Sequence, residues 1–510
     1  MDDSQKAQLP DPVLIEDVQD PPSGKLTVVQ AYDSYTPEFA AQTERKLIRK
    51  VDLRLLPLVI VMYVSNYLDR NSITQARLYG LQQDLNVKGA TYNTAISIFS
   101  AGYIVMQLPS TLMMTKVRPS IFLPTCIIAW AILSGLTSAT QNASGLLALR
   151  FCLGLVEAPF FPCAIYLLSC WYTKRELGFR MSLLVSGLLL SNSFAGLISA
   201  GILSGMDGVG HIATWRWLFI LEGSATVILG LIGYLVLPDY PATTKWLSEE
   251  EKIVAQARLT KSIGSDDFLT EETASVRRGV VWAAKDYRVW LFSCLQMATT
   301  ADISYSHFFP TLIKDLGFKS NTETLLLTSP PYLFAFFFVV AICYFADRKQ
   351  RRSVFAIVSI CIAICSCIVL IATNEQNQWI RYAISFPLTA GTFSVYATTY
   401  TWLSSTIPQP AIKRAAAIGI ANSWANLASL YANYFWLDGF APTYRISWVI
   451  VLAFQVLGLA SMVALRLSLK RSNRKFEKLS QEVSPSDTSA LARLDIDERR
   501  AVVGNFRYVA

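Results

Sequence analysis

Long blocks of apolar residues constrain this chain more than any other feature of its sequence. Blocks of about 20 such residues recur along most of its 510 positions, separated by short polar stretches. Each block is long enough to cross the hydrocarbon core of a bilayer as an α-helix. Hydrophobic residues make up 53% of the chain and charged residues 16%, whereas soluble domains are about 25% charged. The pattern predicts a polytopic membrane protein.

The apolar blocks form two groups of six, which predicts an all-α fold with twelve transmembrane helices in two six-helix lobes. The polar stretch between the groups places Trp246, Ile253 and Ala257 at helical spacing among charges, which predicts short amphipathic helices on the membrane surface. The first residues are rich in Pro, Asp, Ser and Gln, a composition typical of disorder. The predicted segments are an N-terminal tail (1–45), a first lobe (46–238), a linker (239–286), a second lobe (287–468) and a C-terminal tail (469–510).

Lys and Arg in the short loops predict the orientation of the chain. Loops with basic residues, such as Arg118 and Lys413, alternate with loops that have none, such as 140–145 and 438–443. Because basic loops stay in the cytosol, both termini are expected to be cytosolic. Asn142 begins an Asn-Ala-Ser sequence on the predicted outer side and is therefore a candidate glycosylation site.

Composition argues against several function classes. The chain has two histidines, His211 and His307, and its cysteines form no pair beside a histidine, so we expect neither a metal site nor a cofactor. No set of nucleophile, base and orienting group is recognisable, which disfavours an enzyme. The net charge of +8 is accounted for by membrane orientation, and no nucleic-acid partner is expected.

Charged residues inside predicted spans are costly and therefore mark candidate functional positions. Asp69 in the first span and Arg150 in the fourth reach similar depth, which predicts an ion pair between them. Glu157 lies seven residues after Arg150, on the same helix face and near the middle of the bilayer. We predict that Asp69, Arg150 and Glu157 take part in proton coupling. The competing interpretation is that they only hold helices together.

The second half repeats part of this pattern. Arg381 enters the tenth span as Arg150 enters the fourth, and Asp302 aligns with Asp69, as expected for the duplicated halves of a transporter. Both arginines could bind a substrate carboxylate through two hydrogen bonds. Mid-depth polar and aromatic residues could also contact a solute, although interhelical hydrogen bonding and interfacial anchoring are alternatives. The candidates are Tyr396, Tyr400, Trp402, Asn422 and Asn426.

Several motifs together resemble the major facilitator superfamily, and within it the anion:cation symporter or allantoate permease family of fungi. The resemblance covers about residues 46–470. The motifs are YLDRNSITQARLYGLQQDL (67–85), LRFCLGLVEAPFFPCAIYLLSCWY (149–172), WRWLFILEG (215–223), LPDYPATTKWLSEEEKIVAQARL (237–259), FFPTLIKDLGF (308–318) and KRAAAIGIANSWAN (413–426).

The resemblance implies further roles. Arg150 and Gly154 match the R-x-x-x-G motif of the fourth helix, which implies proton coupling, and Asp69 matches the L-D-R of the first helix. The segment ADRKQRR (346–352) resembles the superfamily's inner-loop motif, although Gln350 occupies its glycine position. The gating residues implied by that motif are Asp347, Arg348, Arg351 and Arg352.

The sequence therefore predicts a monomeric transporter that imports a small organic anion with protons across the plasma membrane by alternating access. The resemblance implies a vitamin-like monocarboxylate such as nicotinate or pantothenate, or an allantoate-like anion. Two alternatives remain open, namely a proton-antiport exporter of a secondary metabolite and a nutrient sensor that does not transport.

Overall fold

A computed structural model describes residues 28–87, 90–114, 117–244, 246–263, 276–318, 320–349, 351–374, 377–407, 411–483 and 502. These residues are almost entirely helical, and no strand occurs among them. Twelve long helices, named α1 to α12, run through this part of the chain. They are α1 Pro37–Leu78, α2 Thr91–Met114, α3 Pro119–Leu136, α4 Ala143–Trp171, α5 Lys174–Gly205, α6 Thr214–Val236, α7 Tyr287–Ile303, α8 Asn321–Lys349, α9 Arg352–Ala372, α10 Gln378–Thr406, α11 Ala411–Tyr431 and α12 Arg445–Glu482.

Shorter helices connect and extend these twelve. Helix α4 is interrupted at Ala158 and Pro159, so that its two parts are Ala143–Glu157 and Phe160–Trp171. The other short α-helices are Val28–Asp33, Leu81–Asp84, Glu249–Ile263, Val276–Lys285 and Phe309–Lys314, and the 3-10 helices are Thr137–Ala139, Val209–His211, Ser304–Phe308, Ala432–Phe435 and Asp438–Phe440.

Seven of the helices in the described ranges are long and apolar enough to cross a membrane, namely α3, α4, α5, α6, α8, α9 and α12 or parts of them. Most residues around the central cavity described below come from the other five long segments. This division is expected, because helices that surround a polar cavity must carry polar side chains at membrane depth.

The helices pack as two lobes, α1–α6 and α7–α12. The two lobes repeat the same helix pairings, since α1 packs on α5 as α7 packs on α11, α2 on α4 as α8 on α10, and α3 on α6 as α9 on α12. Helices α5 with α8 and α2 with α11 join the lobes. Within the first lobe α2 and α4 approach closely at Gly154, where a Cβ atom would lie 2.1 Å from the carbonyl oxygen of Phe99.

An even number of crossings puts the start of α1 and the end of α12 on one face, here called the terminal face. Polar contacts between the lobes concentrate at the opposite face. There Arg77 of α1 pairs with Asp438 (2.5 Å), and Asn93 of α2 donates to the carbonyl oxygens of Asn433 (2.6 Å) and Trp436 (3.1 Å). The lobes are therefore closed against each other at the opposite face.

The linker helix Glu249–Ile263 packs against the first lobe at the terminal face. Arg258, only 6% exposed, donates to the carbonyl oxygen of Trp171 (2.5 Å) and to Glu176 (3.1 Å). Lys50 donates to Glu251 (2.5 Å). Helicity also extends beyond the predicted lobe limits, because α1 begins at Pro37 and buries Leu47 and Val51 in this region. Residues 28–33 of the predicted disordered tail are helical as well, whereas residues 1–27 lie outside the described residues.

Candidate substrate cavity

A central cavity lies between the two lobes. The space outside protein atoms, counted together with the opening of the cavity, is about 960 Å³. Helices α1, α2 and α4 line it from the first lobe, and residues of α10, α11 and the Ser304–Phe308 turn line it from the second. The lining residues are Tyr63, Asn66, Tyr67, Arg70, Ile73, Ile96, Phe99, Ser100, Tyr103, Arg150, Glu157, Phe161, His307, Tyr396, Asn422, Asn426 and Ser429.

An ion pair between Arg70 of α1 and Glu157 of α4 forms the charged wall of the cavity. Arg70 donates to Glu157 Oε1 from Nε at 2.8 Å and also from Nη2. Three aromatic rings surround the guanidinium, with its carbon 4.6 Å from the ring centre of Tyr67, 4.8 Å from that of Phe99 and 5.4 Å from that of Tyr103. Such rings attract a cation through their negative faces. The guanidinium is thus held in a fixed place beside the space available to a ligand.

The predicted ion pair between Asp69 and Arg150 is wrong. Asp69 points away from the cavity and accepts a hydrogen bond from Trp130 Nε1 of α3 (3.1 Å). Arg150 Nη1 instead donates to the backbone carbonyl of Arg70 (3.2 Å). The physical reason is helix geometry, because successive residues lie about 100° apart around the axis. Equal depth along α1 and α4 does not make two side chains face each other.

Two nitrogens in the first-lobe wall, Nε and Nη2 of Arg150, have no hydrogen-bond partner among the described residues, although Arg150 is only 3% exposed. Glu157 and Asn66, which are at most 3% exposed, interact with each other in the same wall. Buried donors normally find partners. The two nitrogens of Arg150 make this wall suited to a polar ligand or to water.

Among the described residues, the second lobe contributes uncharged polar side chains and one histidine to the cavity. Asn422 accepts a hydrogen bond from Tyr400 Oη (3.1 Å), and Asn426 donates to Gln107 of α2 across the lobe interface (3.0 Å). The rings of Tyr396 and Tyr400 are 5.3 Å apart in an edge-to-face arrangement. His307 reaches the cavity from the 3-10 turn after α7.

Three predicted substrate residues lie elsewhere. Arg381 donates to the backbone carbonyl of Thr443 (2.9 Å), before α12, and is not among the lining residues. Trp402 is fully buried in the second lobe, edge-on to Phe292 with ring centres 5.2 Å apart. Tyr400 lies behind Asn422 and outside the lining set, which brings together Arg150, Glu157, Tyr396, Asn422 and Asn426.

The predicted gating residues lie at the terminal face, where α8 ends and α9 begins. Arg352 donates to the carbonyl oxygen of Thr401 in α10 (2.7 Å), which ties two helices of the second lobe. Arg348 and Arg351 are exposed. The side chain of Asp347 lies outside the described residues. Asn142 is exposed and caps α4, its Oδ1 accepting from the amide of Gly145 (2.8 Å).

Arg70, Phe99, Tyr103, Phe161 and His307 line the cavity but are not among the residues predicted from the sequence. A sequence signal exists for Arg70. Lining positions on α1 recur every three or four residues from Tyr63 to Ile73, which is the spacing of one helix face. Arg70 lies at this spacing from both mid-depth residues, Asn66 and Tyr67, whereas Asp69 lies at it from Asn66 alone, so the pattern favours Arg70.

Comparisons with known proteins agree with this architecture. The sequence profile of the Major Facilitator Superfamily matches residues 59–433. The MFS-type transporter cnsO of Penicillium expansum is 31% identical over 450 residues, which cover 86% of this chain and 85% of that protein. The uncharacterized transporter C1002.16c of Schizosaccharomyces pombe is 30% identical over 454 residues, covering 89% of each chain.

Solved structures show the same fold at low sequence identity. A bacterial homologue of the human lysosomal transporter Spinster superposes with a TM-score of 0.63 at 13% identity, covering 81% of this chain and 96% of that one. The nucleoside transporter NupG gives 0.58 at 13% identity, covering 81% and 99%.

The chain belongs to the Major Facilitator Superfamily. It is a multi-pass membrane transporter of the secondary class rather than an enzyme, and the predicted fold class is confirmed. The narrower resemblance to the anion:cation symporter or allantoate permease family stays a prediction.

Proposed function

We propose that this transporter imports a small organic anion together with protons, by alternating access to the central cavity. The observation that carries the proposal is the Arg70–Glu157 ion pair in the cavity wall. Buried charges in a membrane protein face a pathway and pair with one another when they act on a substrate or an ion. In such a pair the carboxylate can bind a proton and the guanidinium can bind the anion. The pair therefore provides the two binding events that symport requires.

The charge of the described lining favours an anion. Arg70 and Arg150 bring two guanidinium groups to the cavity, and Glu157 brings one carboxylate. The planar guanidinium binds carboxylates through two parallel hydrogen bonds. Two nitrogens of Arg150 also have no hydrogen-bond partner in the part of the chain that the structure describes. An organic carboxylate therefore matches the cavity better than a cation or an uncharged solute does.

Proton coupling follows from competition for Arg70. While Glu157 is ionised, its carboxylate occupies Arg70 Nε and Nη2. A proton on Glu157 removes that charge and weakens the pair, which frees the guanidinium for a substrate carboxylate. Release of the substrate and of the proton restores the pair. This mechanism keeps Arg150 and Glu157 in the predicted coupling set, adds Arg70, and assigns Asp69 no direct contact with the substrate.

The remaining lining selects among anions by shape and hydrogen bonding. Tyr67, Phe99, Tyr103 and Tyr396 offer ring faces and edges, and Asn422 and Asn426 offer amides. A compact monocarboxylate with a flat or amide-bearing body would use both kinds of contact. Vitamin-like monocarboxylates such as nicotinate or pantothenate, and allantoate-like anions, are the substrates to test first.

We further propose that the protein acts as a monomer in the plasma membrane with the terminal face toward the cytosol. The support is the distribution of basic loop residues in the sequence. With this orientation the lobes are closed on the outer side, so the cavity is in a state that exchanges with the cytosol.

The proposal is tested by uptake of a panel of labelled carboxylates at pH 5 and pH 7 in cells that express the protein. We expect faster uptake at pH 5, and loss of that acid stimulation in Glu157→Gln. The control is Glu249→Gln, which removes an exposed carboxylate of the linker paired with Lys252 and should leave uptake unchanged.

Other results would contradict the proposal. Accumulation of a compound in cells that lack the protein, without acid-stimulated uptake, would indicate an exporter. Binding without net flux would indicate a sensor. Equal acid stimulation in the wild type and in Glu157→Gln would remove Glu157 from the coupling role.

A further inference from the structure

The face of α1 that points away from the cavity contacts a second buried group of polar side chains. Asp69 and Ser72 of α1 face Trp130 of α3 and Glu222 and Thr226 of α6. All five residues are at most 8% exposed, and none of them lines the central cavity. Glu222 lies in the WRWLFILEG segment, for which the proposed transport cycle has no role. The group is therefore a separate site inside the first lobe.

The hydroxyl group of Ser72 contacts two oxygen atoms and has one hydrogen atom to share between them. Its Oγ lies 2.8 Å from the backbone carbonyl oxygen of Leu68 and also contacts Oε2 of Glu222. A hydroxyl has one hydrogen to donate, and both neighbours are oxygens that accept when Glu222 is ionised. If Ser72 donates to Leu68, the other contact requires a hydrogen on Glu222. A protonated Glu222 satisfies both contacts at once.

The carboxyl group of Asp69 is the second buried acid of this site and is only 1% exposed. Its Oδ2 accepts from Trp130, and Thr226 faces the same carboxyl group, but no basic side chain among the described residues donates to it. A negative charge on Asp69 repels a negative charge on Glu222. Asp69 in turn is repelled by Glu157 and attracted by Arg150, both on α4. Arg150 makes its hydrogen bond with the Arg70 carbonyl and not with either acid.

Two facing carboxyl groups in a buried site are unstable as two anions, because each loses hydration and repels the other. Among the residues that the structure describes, no basic side chain forms a hydrogen bond or an ion pair with the carboxyl group of Asp69 or of Glu222. A proton on one of the two acids removes one charge, and on Glu222 it lets Ser72 donate to Leu68 and accept from Glu222 at the same time.

We propose that the Asp69–Glu222 pair is a proton-binding site separate from the cavity and that Glu222 carries the proton in this conformation. The site is coupled to the cavity through α1, since Arg70 follows Asp69 directly and precedes Ser72 by two residues. A movement of α1 that separates Ser72 from Glu222 would expose the proton to exchange. The proposal does not depend on the identity of the substrate or on the direction of transport.

The test is infrared spectroscopy of the purified full-length protein at pH 7, in the region where protonated carboxyl groups absorb. We expect the difference spectrum between wild type and Glu222→Gln to show the loss of one protonated-carboxyl band. The amide of glutamine can still donate to Ser72, so this variant keeps the contact. The matched control is Glu157→Gln, which should leave the band in place because Glu157 is ion-paired with Arg70.

An unchanged spectrum of Glu222→Gln in this region would overturn the proposal, as would loss of the same band in Glu157→Gln. Ser72→Ala gives a second measurement if Glu222→Gln fails to fold. Removal of the Ser72 hydroxyl should shift the frequency of the Glu222 band, because the carboxyl group loses its hydrogen-bond partner. A band that does not move would mean that Glu222 is not the group that holds the proton.

Discussion

The two lobes repeat the same helix pairings but differ in how they use charge. Each has a buried aspartate at the corresponding place in its first helix. Asp69 accepts from Trp130, and Asp302 accepts from Thr392 (3.0 Å) and Gln455 (3.0 Å). Their cavity walls differ, because the first lobe presents Arg70, Arg150 and Glu157 and the second presents His307, Tyr396 and asparagines. The two lobes share one scaffold, whereas the charged side chains among the described cavity residues, Arg70, Arg150 and Glu157, all belong to the first lobe.

The largest expected effect concerns the ion pair in the first lobe. Arg70→Met leaves Glu157, whose side chain is fully buried, without its partner, and breaking a buried pair costs about 3–5 kcal/mol. We expect loss of acid-stimulated uptake and a clear fall in the thermal stability of the detergent-solubilised protein. In Arg70→Met/Glu157→Gln, which removes both charges, stability should partly return while uptake stays absent.

The matched substitution in the second lobe is Arg381→Lys. It keeps the positive charge near the Thr443 carbonyl, away from the cavity. Uptake by this variant should keep the wild-type ratio between pH 5 and pH 7. If Arg381→Lys abolished the acid stimulation of uptake while Arg70→Met preserved it, the arginine that couples transport to protons would lie in the second lobe and not in the first.

The next effect concerns the close approach of helices. In Gly154→Ala the new Cβ would lie 2.1 Å from the Phe99 carbonyl oxygen, whereas in Gly391→Ala of α10 the nearest atom is the Ser359 carbonyl oxygen at 2.7 Å. Overpacking of this kind costs about 1–3 kcal/mol, and more against rigid backbone. Thermal unfolding should show a larger loss for Gly154→Ala than for Gly391→Ala. Gly201→Ala, with open space around its Cβ, is the control.

A smaller effect is expected from the asparagines of the second lobe. Loss of one hydrogen bond from Asn422 to a bound substrate costs about 1–1.5 kcal/mol, which corresponds to roughly a tenfold rise in KM. Asn422→Ala should therefore weaken uptake without changing its dependence on pH. A flattened pH profile in this variant would show that the second lobe also takes part in proton coupling.

The smallest effect is expected at the closed face between the lobes. Asp438 is half exposed in its pair with Arg77, so Asp438→Asn should cost less than about 1 kcal/mol. We expect faster chemical labelling of a cysteine placed at Thr94 in a cysteine-free background, because the closed state is less favoured. Lys252→Gln, which breaks an exposed pair in the linker, should leave the labelling rate unchanged.

Much of the fold could be predicted from the sequence, because the cost of burying backbone and charge in lipid is severe. The apolar blocks predict the twelve helices and their grouping by six, and the alignment of Asp302 with Asp69 correctly places two buried acids in corresponding helices. Helix α1 begins at Pro37, before the predicted start of the first lobe at residue 46, and Lys50 near this end donates to Glu251 of the linker helix.

The cavity was less predictable because depth along a helix does not fix direction around it. Arg150, Glu157, Tyr396, Asn422 and Asn426, which are candidates because of their depth, line the cavity, and their roles stay predictions. Arg381 and Trp402 are candidates for the same reason, but they face away from the cavity. Arg381 donates to the carbonyl oxygen of Thr443, and Trp402 packs on Phe292 inside the second lobe.

The sequence by itself determined that this chain must be a helical membrane protein with few, costly charges at depth, because hydrocarbon accepts little else. Only the tertiary structure decided which of those charges meet. One residue of difference along α1 puts Arg70 at the cavity with Glu157 and turns Asp69 toward α3 and α6, since each step around a helix is about 100°.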